Sequence, residues 1–397
     1  MDERQRIDDP ATQADAQPPV HHETPREVLE EAEPSFFASP KRIVQTVVLV
    51  LLLIVAIYVL FPRLVGLENA LGRISQGDPA WIGVALAFDV LAFAAYVALF
   101  RGVVAEHVIR LRWSESYQIT MAGLAATRVF SAGGAGGILL TYWALRKAGM
   151  ERRIAVGRMV AFLVILYSVY MLALVVFGVL LRTGVLEGEA KLSTTVIPAA
   201  LAGAAILLAL LMALIPEDFE RRIEGISSHR FVGFTRRLAA VPATVSQGVR
   251  DALAFAQEPR SGALAIGGAV GFWAANIGIL WASFQAFDVH VPFGVLVQGF
   301  FLGMVANLFP LAPGGVGAVD AGLIGAFVLF GVGASEVFAA VLTYRVIAFW
   351  LPIPPGVIAL FQLRRSVARW EDEGRSTPGA TIGELTGGVG AAKSADE

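Results

Sequence analysis

The chain has 397 residues, of which 56% are hydrophobic and 16% are charged, and its formal net charge is -2. This composition excludes an ordinary soluble globular domain and is typical of a protein that crosses a membrane several times. Because the sequence contains no cysteine, it excludes a disulfide framework, a thiolate metal site and a cysteine nucleophile.

The two ends of the chain differ in composition from its centre. Residues 1–40 are rich in acids, prolines and polar residues and have no run that could bury a core, so we predict a disordered acidic tail. The first apolar run, 43–61, has no small-residue cleavage site after it and is expected to be a retained anchor. We therefore place a transmembrane domain at 41–365 and a second flexible tail at 366–397.

Six apolar runs are long enough to cross the membrane as helices, since about 20 residues span a hydrocarbon core of ~30 Å. Two further apolar regions, 117–145 and 293–333, contain glycine-rich breaks. The sequence predicts an all-α polytopic membrane protein with eight or more membrane helices. The six full spans are 43–61, 80–100, 160–181, 196–215, 264–286 and 337–360.

Arginine and lysine are concentrated in loops on one side of this arrangement, which we assign to the cytoplasm because short cytoplasmic loops carry the positive excess. Lys41 and Arg42 place the amino terminus inside, and the arginines after the last span place the carboxyl terminus there too. The arginine-rich loop 217–260 is expected to be cytoplasmic and to lie as an amphipathic helix on the anionic inner leaflet.

The two interrupted regions must return to the side that they leave. Region 117–145 is too short for two crossings, so we predict a re-entrant pair of half-helices that opens to the cytoplasm. Region 293–333 begins and ends outside. It is long enough to be either a re-entrant pair or two full spans, and both interpretations stand.

A shift of 181 residues superposes the two glycine breaks. It lays Gly133 and Gly134 on Gly314 and Gly315, and it aligns a first repeat at about 80–182 with a second at about 262–362. The two repeats have opposite predicted orientations. An inverted repeat with broken helices indicates a transporter binding site, whereas glycines that only allow close helix packing are the alternative.

The second break, "NLFPLAPGGVGAVDAGLIGAF", combines Pro313 with the paired glycines and is followed by Asp320. We expect a half-helix to begin near residue 316, where its free amides could receive an anion such as a phosphate. A buried carboxylate in a membrane is costly and usually functional or paired. Asp320 could therefore bind a cationic head group, carry a coupling proton or pair with Arg345.

Charged residues also occur before the first break. Arg128, in "LAATRVFSAGG", could attract lipid phosphate or reach the cytoplasmic interface, and Asp89, in "LAFDVLAF", is a possible structural partner for it. His107 and His290 each have only one carboxylate nearby, without the three or four clustered ligands of a metal site. We expect no metal and no cofactor.

The second break, together with "LTYRVIAFWLPIPPGVIAL", resembles the closing signature of the lysylphosphatidylglycerol synthase transmembrane-region family of flippase-like bacterial membrane proteins. Asp320 falls where that family usually has glutamate, and Arg345, Trp350 and Pro352 match its arginine, aromatic residue and proline. The first motif, "TRVFSAGGAGG", is a looser match, because family members commonly have asparagine and proline there.

The resemblance implies a multi-pass protein of the bacterial inner membrane that moves a phospholipid or a lipid-linked intermediate between leaflets. It implies no nucleic-acid partner. Since no soluble stretch is large enough for a catalytic domain, we expect a non-enzymatic protein. The alternatives are a proton-coupled transporter of a small solute and a non-transporting membrane scaffold.

Overall fold

The structure, a computed structural model, describes residues 77–105, 111–130, 135–189, 191–213, 246, 248–254, 257–308 and 316–373. Within these ranges the secondary structure is helical, without a strand. The α-helices with described bounds are α1 (Pro79–Phe100), α2 (Trp113–Phe130), α3 (Ala135–Lys147), α4 (Arg152–Arg182), α5 (Val196–Ala213), α6 (Pro259–Gln285), α7 (Phe293–Met304), α8 (Ala318–Leu329), α9 (Ala334–Arg345) and α10 (Ile353–Asp372).

Five described helical stretches are long and apolar enough to cross a membrane, and each contains most or all of one predicted span. The stretches are Pro79–Val104, Arg152–Arg182, Val196–Ala213, Pro259–Gln285 and Ala334–Asp372. The prediction of an all-α membrane protein is therefore confirmed. The sixth predicted span, 43–61, the tail 1–40 and most of the loop 217–260 lie outside the described residues.

The last stretch is not a regular α-helix throughout. A π-helical turn, Val346–Trp350, joins α9 to α10. Helix α10 then continues to Asp372, past the predicted domain boundary at residue 365. The indole of Trp370 is 2% exposed and donates to Glu115 Oε1 at 2.9 Å, so this extension belongs to the folded part of the chain.

Helices α1 and α6 lie side by side in opposite directions. The amide of Asp78, at the start of α1, donates to the carbonyl of Ala286, just after α6, at 2.9 Å. Near the other end of α1, Gly268 of α6 leaves so little space that a methyl group there would lie 2.7 Å from the carbonyl oxygen of Ala95. The close contact of two apolar helices through glycine is typical of membrane bundles.

The order of helices repeats along the chain. Helices α1, α2, α3 and α4 begin 180 to 183 residues before α6, α7, α8 and α9, close to the shift of 181 that the glycines indicated. Packing repeats as well, because α2 contacts α10 and α7 contacts α4. The first short helix of each half thus packs against the last long stretch of the other half.

The helices of the two interrupted regions are short. Helix α8 has 12 residues and α3 has 13, about 18–20 Å at 1.5 Å per residue, below the ~30 Å of the hydrocarbon core. Helix α7 continues as the 3₁₀ turn Val305–Leu308, whose last residue is also the last described residue before the second break. The breaks themselves, with Gly133, Gly134, Pro313, Gly314 and Gly315, lie outside the described residues, so their predicted re-entrant geometry stays a prediction.

Glycines beside the breaks hold each pair of short helices in close contact. A methyl group at Gly322 of α8 would lie 2.5 Å from the carbonyl oxygen of Gly303 in α7, and one at Gly137 of α3 would meet the carbonyl oxygen of Gly123 in α2. Helix packing is therefore the role of these four glycines.

Candidate functional site

Two arginines from different halves of the chain approach the same aromatic ring. The guanidinium carbon of Arg128, near the end of α2, lies 5.0 Å from the centroid of the Phe349 ring. That of Arg345, at the end of α9, lies 4.3 Å from the same centroid. Cations attract the face of an aromatic ring at such distances, so Phe349 is a common point of contact for both basic groups.

Arg128 is held by the backbone of the π-helical turn. Its Nη1 donates to the carbonyl of Phe349 at 2.7 Å and its Nη2 donates to the carbonyl of Ala348 at 2.9 Å. In an α-helix the carbonyl of Ala348 would accept from the amide of residue 352, but Pro352 has no N–H. The Arg128 guanidinium therefore replaces the backbone N–H that Pro352 lacks.

Asp320 and Arg345 form the ion pair that the sequence suggested. Arg345 Nε lies 2.7 Å from Asp320 Oδ1, and the two side chains are 6% and 17% exposed, respectively. The other carboxylate oxygen of Asp320 accepts from the amide of Gly317 at 2.9 Å. One carboxylate thus joins α8 to α9 and caps the start of its own helix.

This cap changes the expectation for the amino terminus of α8. The helix begins at Ala318 rather than near residue 316, because Gly317 stands at the N-cap with a φ of 79°, a conformation that favours glycine. The side chain of Asp320 already occupies a position in which an anion was expected to bind. An anionic ligand is therefore better placed at the arginines than at these amides.

Asp89 is buried near the middle of α1, with 6% exposure. It does not form the suggested ion pair with Arg128, two of whose five N–H donors bind the two carbonyls of the π-helical turn. The two side chains still lie within electrostatic range of each other. Within the described part of the chain, the Asp89 carboxylate has neither a hydrogen bond nor an ion pair.

Two further residues of this site were not predicted from the sequence. Phe349 follows Arg345 by four positions, a spacing that places two side chains on one helical face and could have pointed to it. Tyr344 is 4% exposed, and its hydroxyl donates to Asn276 Oδ1 of α6 at 3.4 Å. This long contact links α9 to α6, and nothing in the sequence pattern predicted it.

Four of the predicted site residues thus meet around the π-helical turn: Asp89, Arg128, Asp320 and Arg345. The five predicted residues of the breaks are not among the described residues. In the ranges that the structure describes, no group of three or more histidine or carboxylate side chains could hold a metal ion. The arrangement suits a ligand that carries a phosphate, because guanidinium groups bind phosphate through several donors at once.

Residues 45–356 match the family described as the lysylphosphatidylglycerol synthase TM region. Curated proteins of Methanothermobacter thermautotrophicus, each named UPF0104 membrane protein, are similar to shorter parts of the chain. One is 33% identical over 96 residues, 24% of this chain and 28% of the relative. Another is 32% identical over 90 residues, 23% of this chain and 26% of the relative. The matched part is thus about a quarter of the length of these relatives.

Proposed function

Because the chain belongs to the lysylphosphatidylglycerol synthase TM-region family, we propose that it is a flippase-like translocase. It moves the polar head group of a phospholipid, or of a lipid-linked intermediate, from one leaflet to the other. The proposal rests on one observation above all, the approach of Arg128 and Arg345 to Phe349 inside a membrane protein.

The depth of these residues supports a role in translocation. Arg345 ends α9, which begins at Ala334, so it lies about 17 Å along its helix at 1.5 Å per residue. This is roughly half of a ~30 Å hydrocarbon core. Charged side chains at such depth usually face a bundle interior or a water-filled path and mark a substrate pathway. The phosphate of a head group would bind between the two arginines.

The relation between the two halves supports a groove that is open to each leaflet in turn. Equivalent helices α1 and α6 run antiparallel, which fits an inverted repeat, and the short helices fit re-entrant pairs. We place both termini in the cytoplasm of a bacterial cell. Single cysteines at Glu151 and Val332, which the shift of 181 makes equivalent, should react with an impermeant thiol reagent from opposite faces. Reaction from one face only would contradict the inverted repeat.

The experiment that tests the function is lipid exchange in reconstituted vesicles. Vesicles of phosphatidylcholine with a trace of fluorescent phosphatidylglycerol or phosphatidylethanolamine are treated with a reductant that bleaches the outer leaflet alone. The protein should accelerate bleaching of the inner pool. Arg128→Lys and Arg345→Lys keep the charge but lose the planar fork of donors, so both should slow exchange.

Arg101→Lys is the matched control. The guanidinium of Arg101 also lies over an aromatic ring, 4.2 Å from the Trp113 centroid, and donates to the Leu111 carbonyl at 2.9 Å, but it stands outside the proposed site. Its variant should exchange lipid at the normal rate. If no lipid of the native membrane exchanges faster than in empty vesicles, the translocase proposal fails, and transport of a small solute or a scaffold role becomes the better explanation.

A further inference from the structure

We propose that Asp89 is a proton-binding site, and that it takes up a proton when the neighbouring Arg128 receives an anionic phosphate. This inference rests on the proposed function, to which it adds an energy source. Uptake of a proton with the head group would couple lipid movement to the proton gradient across the membrane.

The first argument is the position of the carboxylate. Asp89 is 6% exposed and lies ten residues beyond the start of α1 at Pro79, about 15 Å along the helix and so near the middle of the bilayer. Within the described residues its oxygens accept no hydrogen bond and form no ion pair. A carboxylate that is buried without such a partner is stabilised when it binds a proton.

Asp320 is a poorer candidate for the same role. Its Oδ1 lies 2.7 Å from Arg345 Nε, and its Oδ2 accepts the amide of Gly317. Both carboxylate oxygens of Asp320 therefore already have partners. A proton on Asp320 would have to break a buried ion pair and loosen a helix cap at once. The two carboxylates of the site thus have different environments and suit different tasks.

The groups around Asp89 favour a proton over a metal cation. Helix α2 presents Arg128 to it, and Tyr344 and Arg345 of α9 lie in the same electrostatic cluster, together with Tyr96 of α1 itself. The part of α6 within the membrane, 264–285, and the π-helical turn have no titratable side chain. A metal cation would need several oxygen ligands beside two arginines, whereas a proton needs only the carboxylate.

The link between proton and phosphate follows from charge. When Asp89 is deprotonated, its negative charge partly balances the positive charge of Arg128. A phosphate at Arg128 brings a second negative charge to a region of low dielectric. A proton that moves from water to the Asp89 carboxylate removes one negative charge, so the total charge of the site is unchanged. Phosphate binding at Arg128 therefore favours proton binding at Asp89, and proton binding favours phosphate binding to the same extent.

Proton uptake on lipid binding is the direct test. Purified protein in detergent is mixed with short-chain phosphatidylglycerol in weak buffer that contains a pH-sensitive dye. The wild type should take up about one proton for each lipid bound, and its affinity should increase as the pH falls. Asp89→Asn should bind lipid without proton uptake and with an affinity independent of pH. Asp89→Glu keeps a titrating carboxyl group and should retain uptake.

Asp78→Asn is the matched control, because this carboxylate belongs to the same helix but caps its aqueous end by accepting the Ala80 amide at 2.8 Å. It should behave as the wild type does. The inference is overturned if the wild type binds no lipid, if it binds lipid without taking up a proton, or if Asp89→Asn takes up as many protons as the wild type does. If proton-linked binding occurs but vesicles show no lipid exchange, the proton site stands and the translocase proposal fails.

Discussion

The two halves of this protein share a helical framework but not a set of polar groups. In the second half, Asp320 and Arg345 pair within the membrane. The shift of 181 places Leu139 and Val164 at the equivalent positions of the first half. Leu139 is 53% exposed, as expected for a side chain that faces lipid. The repeated framework therefore positions helices, whereas the two repeats supply different charged groups to the site, Asp89 and Arg128 from the first and Asp320 and Arg345 from the second.

The first half contributes two charged groups to the site, Asp89 and Arg128, and one of them contacts the second half directly. Arg128 reaches the carbonyls of Ala348 and Phe349, which belong to the last stretch of the second half. That stretch contains Pro352, Pro354 and Pro355, which have no backbone N–H. At the position equivalent to Pro352 the first half has Met171, and α4 continues unbroken for 31 residues. Loss of symmetry in one helix thus creates one of the points at which the halves are joined.

The largest effect should come from breaking the pair that exists in one half only. Asp320→Asn or Arg345→Gln leaves a buried charge without its partner, a loss of about 3–5 kcal/mol in soluble proteins. Asparagine can still accept the Gly317 amide, so the loss would report the charge rather than the cap. Thermal unfolding in detergent is the measurement.

The double variant removes both charges and should be less destabilised than the sum of the two singles. Glu336→Gln is the control, because this exposed carboxylate lies in the first turn of the same α9 helix and should have little effect. Losses that add in the double variant would contradict the energetic coupling of Asp320 and Arg345.

The next variant transfers the carboxylate to the other half. Leu139→Asp places it at the position equivalent to Asp320, where the side chain is half exposed on the surface of α3. We expect a cost of about 2.5–3.5 kcal/mol for the charge in the membrane, visible as reduced yield of folded protein. Leu139→Met changes neither polarity nor volume much and is the control. Normal folding of Leu139→Asp would show that a water-filled cavity reaches this face of α3.

Sequence reasoning predicted the described spans because long apolar runs and their flanking arginines are strong local signals. It also proposed the partner of Asp320, since few charged residues are available inside a membrane. It did not predict the partners of Arg128, because they are backbone carbonyls of a π-helical turn. That geometry has no simple pattern, although Pro352 in the sequence indicates that a donor is missing at Ala348.

An intermediate effect tests whether the paired short helices of the two halves are equivalent in packing. Gly137→Ala and Gly322→Ala both push a methyl group against the backbone of the preceding helix. Each should destabilise the protein by about 1–3 kcal/mol through overpacking. Gly325→Ala is the control on α8, because no atom lies within 4 Å of its added methyl group. If the unfolding temperature falls for only one of the two variants, Gly137→Ala or Gly322→Ala, the two pairs of short helices differ in packing as they do in charge.

The smallest effect concerns the ring at which the halves meet. Phe349→Leu removes one cation–π contact from each half, about 0.5–1 kcal/mol per contact at exposed sites and up to ~2 kcal/mol when desolvated. Phe284→Leu is the control, because that buried ring packs edge-on against Phe327, with ring centroids 5.0 Å apart, and isolates the cost of losing a ring.

The decisive quantity is the coupling between Phe349 and Arg128. A double-mutant cycle with Phe349→Leu and Arg128→Gln separates the interaction from the individual losses. If the ring contributes to holding the first half against the second, the cycle should give a coupling of about 0.5–1 kcal/mol in unfolding free energy. A coupling of zero would mean that the two carbonyls alone hold Arg128. The Phe349 ring would then stabilise only Arg345, within the second half. The two halves would differ in their contacts with this ring more than the two distances to its centroid indicate.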